Sequence, residues 1–428
     1  MNFLFGVSTC SHQNEGYNFL NNWWEWEIKK NLERSGIACN SWIDYKKEID
    51  CVKDLGCNSF RFSIEWSRIF IEEEKIDYNA LSNYENMIDY CIQQNIEPIL
   101  TLHHFTRPRW FDNRYGGLHN RMFLYYFKKF VKIVSKKFEK KIKYWITFNE
   151  PMLECVNGYL RGTRPPGKKG DFNLMYDAII NIIDSHCICY KYIKKYNPKA
   201  LVSIAKNMVD FEKRYYYDII KSNIEDQVIE NFNWGILDAF FKGYFNFGIN
   251  IIGIGLKKTV KKKEWIGKLD FLGINHYNVG YVDISYSIDN PINVLLTKPD
   301  TEYIQNALNW DIKPFSLINV INNVIDRYGN LNIMITESGA CEKNDKLDKN
   351  RIQTHVMETH LKSILNHKNI IGYMWWTLVD NYEWEDGWKP KFGLYRRIRT
   401  ENGIERELKD SGKIYKNIIK DYKNKLLS

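Results

Sequence analysis

Eight short β-rich runs punctuate the chain, and the longer stretches between them carry the spacing of amphipathic helices. The runs are Phe3–Ser8, Ser59–Ser63, Pro98–His103, Tyr144–Phe148, Leu201–Ala205, Phe271–Asn275, Asn332–Thr336 and Ile371–Trp376. Helical patterns cover Trp42–Leu55, Ala80–Gln94, Met122–Phe138, Met175–Tyr196, Ser316–Arg327 and Asn350–Leu365. Largely apolar strands alternating with helices predict an α/β protein with a parallel sheet covered by helices. Eight such units predict closure into a single-domain (β/α)8 barrel over residues 1–428, in preference to an open doubly wound sheet.

The residues that follow each run support closure. Gln13 and Glu15 follow the first run, Arg61 lies near the end of the second, and His103 and His104 close the third. Asn149 and Glu150 follow the fourth and Asn207, the weakest member, the fifth. Asn275 and Tyr277 end the sixth, Glu337 the seventh and Trp376 the eighth. A barrel gathers these ends on one face, where active sites of this architecture sit.

Composition excludes several classes. A net charge of +9 on 428 residues is modest, and lysines are spread along the chain, which reads as solvated surface and not as a nucleic-acid interface. The cluster Lys257–Lys263 reads as a surface loop or helix, and Lys413–Leu427 as a last barrel helix. Nine cysteines without framework spacing point to a reducing compartment. His186, Cys187 and Cys189 fall on a predicted helix, where only His186 and Cys189 share a face, too few ligands for zinc. There is no P-loop or His-Glu-x-x-His, and Gly253-Ile-Gly255 lacks the third glycine of a dinucleotide loop. No basic segment precedes the short apolar run Phe3–Val7, and no stretch reaches membrane-span length, so the expectation is a soluble cytoplasmic protein with neither nucleic-acid nor membrane partners. Aromatic residues reach 15%, a surplus that can fill a core or form platforms for flat apolar ligand faces.

The sharpest chemical signal is a pair of glutamates. Tyr144-Trp-Ile-Thr-Phe-Asn-Glu150-Pro ends the fourth run and Asn332-Ile-Met-Ile-Thr-Glu337-Ser-Gly the seventh. These runs lie three apart in a ring of eight, so the two carboxylates face one space. Acetal hydrolysis needs such a pair: one donates a proton to the leaving oxygen while the other stabilises or attacks the anomeric carbon.

Further motifs accompany them in order. They include Phe5-Gly-Val-Ser-Thr-Cys-Ser-His-Gln13-Asn-Glu-Gly16, Arg61-Phe-Ser-Ile-Glu-Trp-Ser-Arg68, Leu102-His103-His104-Phe and Thr147-Phe-Asn-Glu150-Pro. Gly158-Tyr, Pro165-Pro-Gly, Gly273-Ile-Asn275-His-Tyr277 and Ile335-Thr-Glu337-Ser-Gly come next, and Trp376-Thr-Leu-Val-Asp-Asn-Tyr-Glu383-Trp384-Glu-Asp-Gly closes the series. With these the chain resembles glycoside hydrolase family 1, the retaining β-glycosidases that include β-glucosidases and β-galactosidases.

The resemblance implies a TIM barrel that hydrolyses terminal β-D-glycosides or oligosaccharides by double displacement, with no cofactor. It implies Glu150 as acid/base and Glu337 as nucleophile, with Arg61, Tyr277 and Asn275 supporting the nucleophile. It places Gln13, His104, Asn149, Glu383 and Trp384 on the sugar hydroxyls and Trp376 beneath the ring. A guanidinium and a phenol beside Glu337 would keep it ionised, and Glu150 must start protonated. A retaining pair stands about 5–5.5 Å apart.

Three positions depart from the family pattern: Phe105 where Trp is common, His276 where Tyr is common, and Ser338 where Asn is usual. The stretch Phe245–Lys263 reads as a trimmed connection that opens the aglycone entrance, and Trp23, Trp24 and Trp26 as packing without a role. The alternatives are a 6-phospho-β-glycosidase, a transglycosylase and a non-catalytic sugar-binding relative. Glu383 weighs against the first, because a carboxylate aimed at O6 repels a phosphate there. The presence of both glutamates weighs against the last. Sugar preference and oligomeric state stay open.

Overall fold

All eight runs form strands, and the strands close on themselves. The computed structural model describes residues 3–251, 254–284, 292–298, 300–342 and 351–427. The barrel strands are β1 (Leu4–Ser8), β2 (Ser59–Ser63), β3 (Glu97–His103), β4 (Tyr144–Asn149), β5 (Leu201–Asn207), β6 (Leu272–Asn275), β7 (Ile333–Ser338) and β8 (Ile370–Trp376). Each pairs in parallel with its sequence neighbours, and β8 returns to β1 in the register Leu4↔Gly372 to Ser8↔Trp376. The fold is a (β/α)8 barrel.

Alternation along the strands sorts side chains into two layers. Ile99, Ile146, Ala205, Met334 and Met374 fill the barrel interior, and a larger apolar core lies between barrel and helices. Part of the aromatic surplus sits there: Trp66 packs against Phe111, Phe127 and Phe130 at 5.6–5.8 Å between ring centroids. Towards the C-terminal ends of the strands the interior turns polar, with Arg61, Thr101, Asn149, Asn275 and Glu337 all buried.

The covering helices include α1 (Ser41–Asp54), α2 (Tyr78–Gln93), α3 (Met122–Lys137), α4 (Phe172–Tyr196), α5 (Gly235–Lys242), α6 (Ser316–Tyr328), α7 (Arg351–Val356) and α8 (Asp410–Leu427). α4 starts three residues before the predicted Met175 because Asp171 caps it, accepting from the Leu174 amide at 3.0 Å. The helix predicted over Asn350–Leu365 is broken: α7 gives way to a wide π-turn, Met357–Leu361, and then a last turn, Lys362–Ile364. Asn350 lies outside the described residues. The π-turn brings His360 inward, where its Nε2 bonds with Ser316 Oγ and the Lys313 carbonyl.

Most of the lysine-rich segment, Lys257–Lys261, is strand, and only Lys263 enters a short 3-10 turn. Tyr244–Ile251 and Ile254–Lys261 form an antiparallel hairpin, with Phe245 against Tyr176 and Phe247 against Phe172 of α4. The hairpin therefore packs outside the barrel. Among its described residues none lines the mouth. α8 closes the structure: Tyr415 donates to the Gly6 carbonyl at 2.7 Å, and the Tyr422 ring meets Phe3 and Phe5. All nine cysteines are free, and among the described residues no helix is long and apolar enough to cross a membrane.

Candidate active site

A pocket of about 770 Å³ opens at the C-terminal mouth of the barrel. His104, Asn149, Glu150, Tyr277, Glu337, Trp376, Glu383 and Trp384 line it. Arg61, Asn275 and Gln13 stand just behind this wall, fully buried. Gln13 Nε2 donates to the Tyr382 carbonyl at 2.7 Å, and among the described residues its Oε1 has no partner.

Local irregularities aim the two glutamates. Glu150 follows β4 with φ +44 and ψ 52, a left-handed conformation uncommon for a residue with a Cβ. It precedes Pro151, which opens the next helical turn, and its amide is held by the Ala205 carbonyl at 2.7 Å. Register slips occur at Ile146/Asn149 of β4, Ile274/Asn275 of β6 and Ile335/Ser338 of β7, all next to site residues. Slips of this kind re-aim side chains at barrel rims. After Glu337 the chain passes Trp376 so closely that a Cβ on Gly339 would stand 2.2 Å from the Trp376 carbonyl oxygen.

The carboxylates have different partners. Arg61 Nη1 donates to Glu337 Oε1 at 2.6 Å, and Tyr277 donates to Glu337 Oε2 at 2.6 Å. Arg61 is itself fixed by Thr101 Oγ1, Ser8 Oγ, the Thr336 carbonyl and Asn149 Oδ1. Glu150 Oε1 receives amide groups instead, Asn275 Nδ2 at 2.9 Å and Asn207 Nδ2 at 3.5 Å. Sequence reasoning grouped Asn275 with Glu337, but its amide serves Glu150 and Asn149. The slip beside Asn275 pairs its backbone with Glu337 while Thr336 Oγ1 holds its Oδ1, which turns the NH2 towards β4.

Asn149 Oδ1 accepts from both Arg61 and Asn275, so its NH2 must face His104 Nε2, 3.0 Å away. Nε2 is then the acceptor and the ring proton sits on Nδ1. Burial holds His104 well below the usual histidine range, so it is neutral.

The family model described as glycosyl hydrolase family 1 matches residues 1–424. The chain belongs to glycosyl hydrolase family 1. It is 27% identical to beta-glucosidase A of Thermotoga maritima over 98% of this chain and 97% of that protein. It is equally similar, with the same coverage, to the 1,4-beta-D-glucan glucohydrolase of Thermotoga neapolitana. A solved beta-glycosidase from Pyrococcus horikoshii matches with a TM-score of 0.85 and 31% identity, over 98% of this chain and 94% of that one. The protein is thus an O-glycosyl hydrolase.

In this family 1 enzyme two buried carboxyls, Glu150 and Glu337, share one pocket with the half-buried Glu383. Burial pushes Glu337 up to about 7; Arg61 and Tyr277 pull it down, and the charge on Glu150 pushes it up. The donors at Glu337 thus act against its burial. Burial also raises Glu150, against the Asn275 amide and the charges of Arg164, Lys206 and Arg61. Such a pair titrates as a unit, and the stronger donors on Glu337 favour the shared proton on Glu150. Burial pushes Glu383 up to about 8; the Trp376 indole N–H, 3.1 Å away, opposes this and the charge on Glu337 adds to it.

Glu383 thus carries a stability cost that depends on pH. Its folded pKa lies above the unfolded value, so the fold binds the extra proton and loses stability as pH rises from about 4.5 to about 8. Glu383→Gln is expected to raise the Tm of the free enzyme by about 2–4 °C at pH 8.5 and to change it little at pH 4.5. Paired melts at the two pH values check this, and an equal shift at both would refute it.

The glycosidase pocket contains residues that sequence reasoning passed over. Trp384, at φ +48, is clamped by Trp23 at 4.6 Å, His12 at 5.7 Å, Phe105 at 5.3 Å and His104 at 6.3 Å. Trp23 therefore supports the site and Trp26 lines it, contrary to their reading as packing without a role. Arg164 also lines the pocket, with Nε 3.0 Å from Glu385 and its guanidinium over Phe105. Its position just before Pro165-Pro166-Gly167 was the only sequence signal for it. His276 is held on both ring nitrogens, by the Met208 carbonyl and Ser316 Oγ, and so fills a structural position behind Tyr277. His186 is likewise held, by Thr147 Oγ1 and the Lys268 carbonyl.

Proposed function

We propose that the enzyme is a retaining β-glucosidase-like hydrolase acting through Glu337 and Glu150, with the whole chain 1–428 as one catalytic unit. The observation that carries the reading is the unequal support of two buried carboxyls in one pocket. Glu337 holds a guanidinium and a phenol, and Glu150 holds amides.

In the first step a Glu337 oxygen forms a bond to the anomeric carbon as the glycosidic C–O bond breaks. Glu150 gives its proton to the departing oxygen. Esterified Glu337 has lost its charge, so Glu150 stays ionised more readily. In the second step Glu150 takes a proton from water, the resulting hydroxide oxygen bonds to the anomeric carbon, and Glu337 leaves as carboxylate.

Trp376 offers an apolar face to the pyranose, while Asn149, His104, Glu383 and Trp384, with Gln13 behind them, address its hydroxyls. Asn149 suits the 2-hydroxyl, whose contact strengthens in the transition state. Glu383 beside Trp376 disfavours a 6-phosphate, and the relatives' names favour glucose. The ligand is a small β-glycoside or oligosaccharide, the reaction needs no cofactor, and nine free thiols fit a cytoplasmic setting.

The test is the first-formed anomer. Proton NMR during hydrolysis of p-nitrophenyl β-D-glucoside is expected to show β-glucose before mutarotation. Initial α-glucose would overturn the retaining reading. No turnover across a panel of β-glycosides would overturn the enzyme itself.

A further inference from the structure

β5 carries a residue that no step above uses. Lys206 lies between Ala205 and Asn207 and is fully buried. Lysine is almost never fully buried unless it is paired. Yet among the described residues no carboxylate lies within ion-pair distance of Lys206. Its ammonium donates to the Asn207 carbonyl and sits 5.0 Å above the Phe232 ring, which lines the pocket. On its strand Lys206 pairs with Ile274, a member of the outer core, so its stem starts on the outer layer. The ammonium then reaches the strand end next to the asparagine that contacts Glu150.

Three short links tie this lysine to Glu150. The Asn207 carbonyl takes the ammonium, the Asn207 amide reaches Glu150 Oε1 at 3.5 Å, and the Ala205 carbonyl holds the Glu150 backbone at 2.7 Å. We propose that Lys206 is a positioning residue for the acid/base: its sealed ammonium favours the ionised form of Glu150 and holds the Asn207 amide against it. The proposal rests on Glu150 being the acid/base, and it goes beyond that reading by giving the second step its electrostatic support. A cation here helps Glu150 collect a proton from water, at some cost to the first step, where Glu150 must arrive protonated.

Other groups also act on Glu150. Arg61 on β2 and Arg164 after β4 favour its charge, whereas Glu337 on β7 shares the pocket and the Tyr277 phenol stands beside that carboxylate. Lys206 differs from the two arginines, which bond to Glu337 and Glu385, because its tie runs through Asn207 to Glu150. Burial lowers Lys206 to about 7 and the charge on Glu150 opposes that.

The experiment compares kcat/KM against pH for native enzyme, Lys206→Met and Lys206→Arg on p-nitrophenyl β-D-glucoside. Loss of the cation raises Glu150, so the basic limb of the Met variant is expected about one pH unit higher, with the Arg variant near native. An unmoved limb in a folded Met variant overturns the proposal. Should the Met variant not fold, 13C NMR of the lysine ε-carbons in native enzyme and Glu150→Gln reads the same coupling. Lys206 is expected to titrate at lower pH once the Glu150 charge is gone, and identical titration overturns the proposal. If Glu150→Gln keeps native activity on alkyl glucosides, the acid/base assignment fails. If that activity is lost while the limb and the lysine signal stay put, only the role of Lys206 fails.

Discussion

Replacing Glu337 by Gln is expected to lower kcat on p-nitrophenyl β-D-glucoside by about 10⁴- to 10⁶-fold, leaving binding of the sugar largely intact. The scale is that of removing a nucleophile from a constellation that acts as a unit. The amide keeps the shape of the side chain and can still accept from Tyr277, but it cannot form the glycosyl ester. Arg61 keeps its bonds to Thr101, Ser8, Thr336 and Asn149, so the wall behind the pocket stays anchored. A thermal melt alongside the kinetics separates lost chemistry from lost fold. A folded variant that retained more than about a tenth of native kcat would remove Glu337 from the nucleophile role.

Glu150→Ala should instead discriminate between leaving groups. An alkyl glucoside needs a proton on its departing oxygen, so kcat/KM is expected to fall about 10²- to 10⁴-fold. A dinitrophenyl glucoside leaves without that proton, so its kcat/KM should fall far less. Its kcat should still drop, because no base remains to activate water against the glycosyl ester. Added azide, a nucleophile that needs no base, should restore turnover and yield the β-glycosyl azide. Equal losses on both substrates, with no effect of azide, would show that Glu150 does not handle the proton.

The barrel was legible because its signal is periodic. Eight apolar runs separated by helical patterns leave few architectures, and the strand ends were found within about two residues. The glutamates were legible because a barrel converts sequence position at a strand end into a place at the mouth. Side-chain direction within the mouth was not legible. Asn275 serves Glu150 and not Glu337 because a register slip turns it, and a one-residue slip leaves no mark in composition or periodicity. Trp23 and Trp26 lie on a short helix, Asn22–Lys29, in the connection after β1, and only tertiary packing brings them to Trp384 and the pocket wall. The state of Glu337 depended on burial, which outweighs donors that a motif can name. Lys206 was hidden for the same reason, since a lysine beside a strand end reads as solvated until its surroundings are known.

The seam between β1 and β8 has a consequence for how the chain is made. On a ribosome β1 is made before the other seven strands, and its partner along Leu4–Ser8 is not complete until Trp376 has cleared the exit tunnel. α8, which clasps Gly6 through Tyr415, follows later still. A nascent chain stopped before Ile370 holds β1 and β7 with open parallel edges, the kind of surface that invites wrong partners. Closure of this barrel therefore waits for its eighth strand, and until then its first strand has one side unpaired.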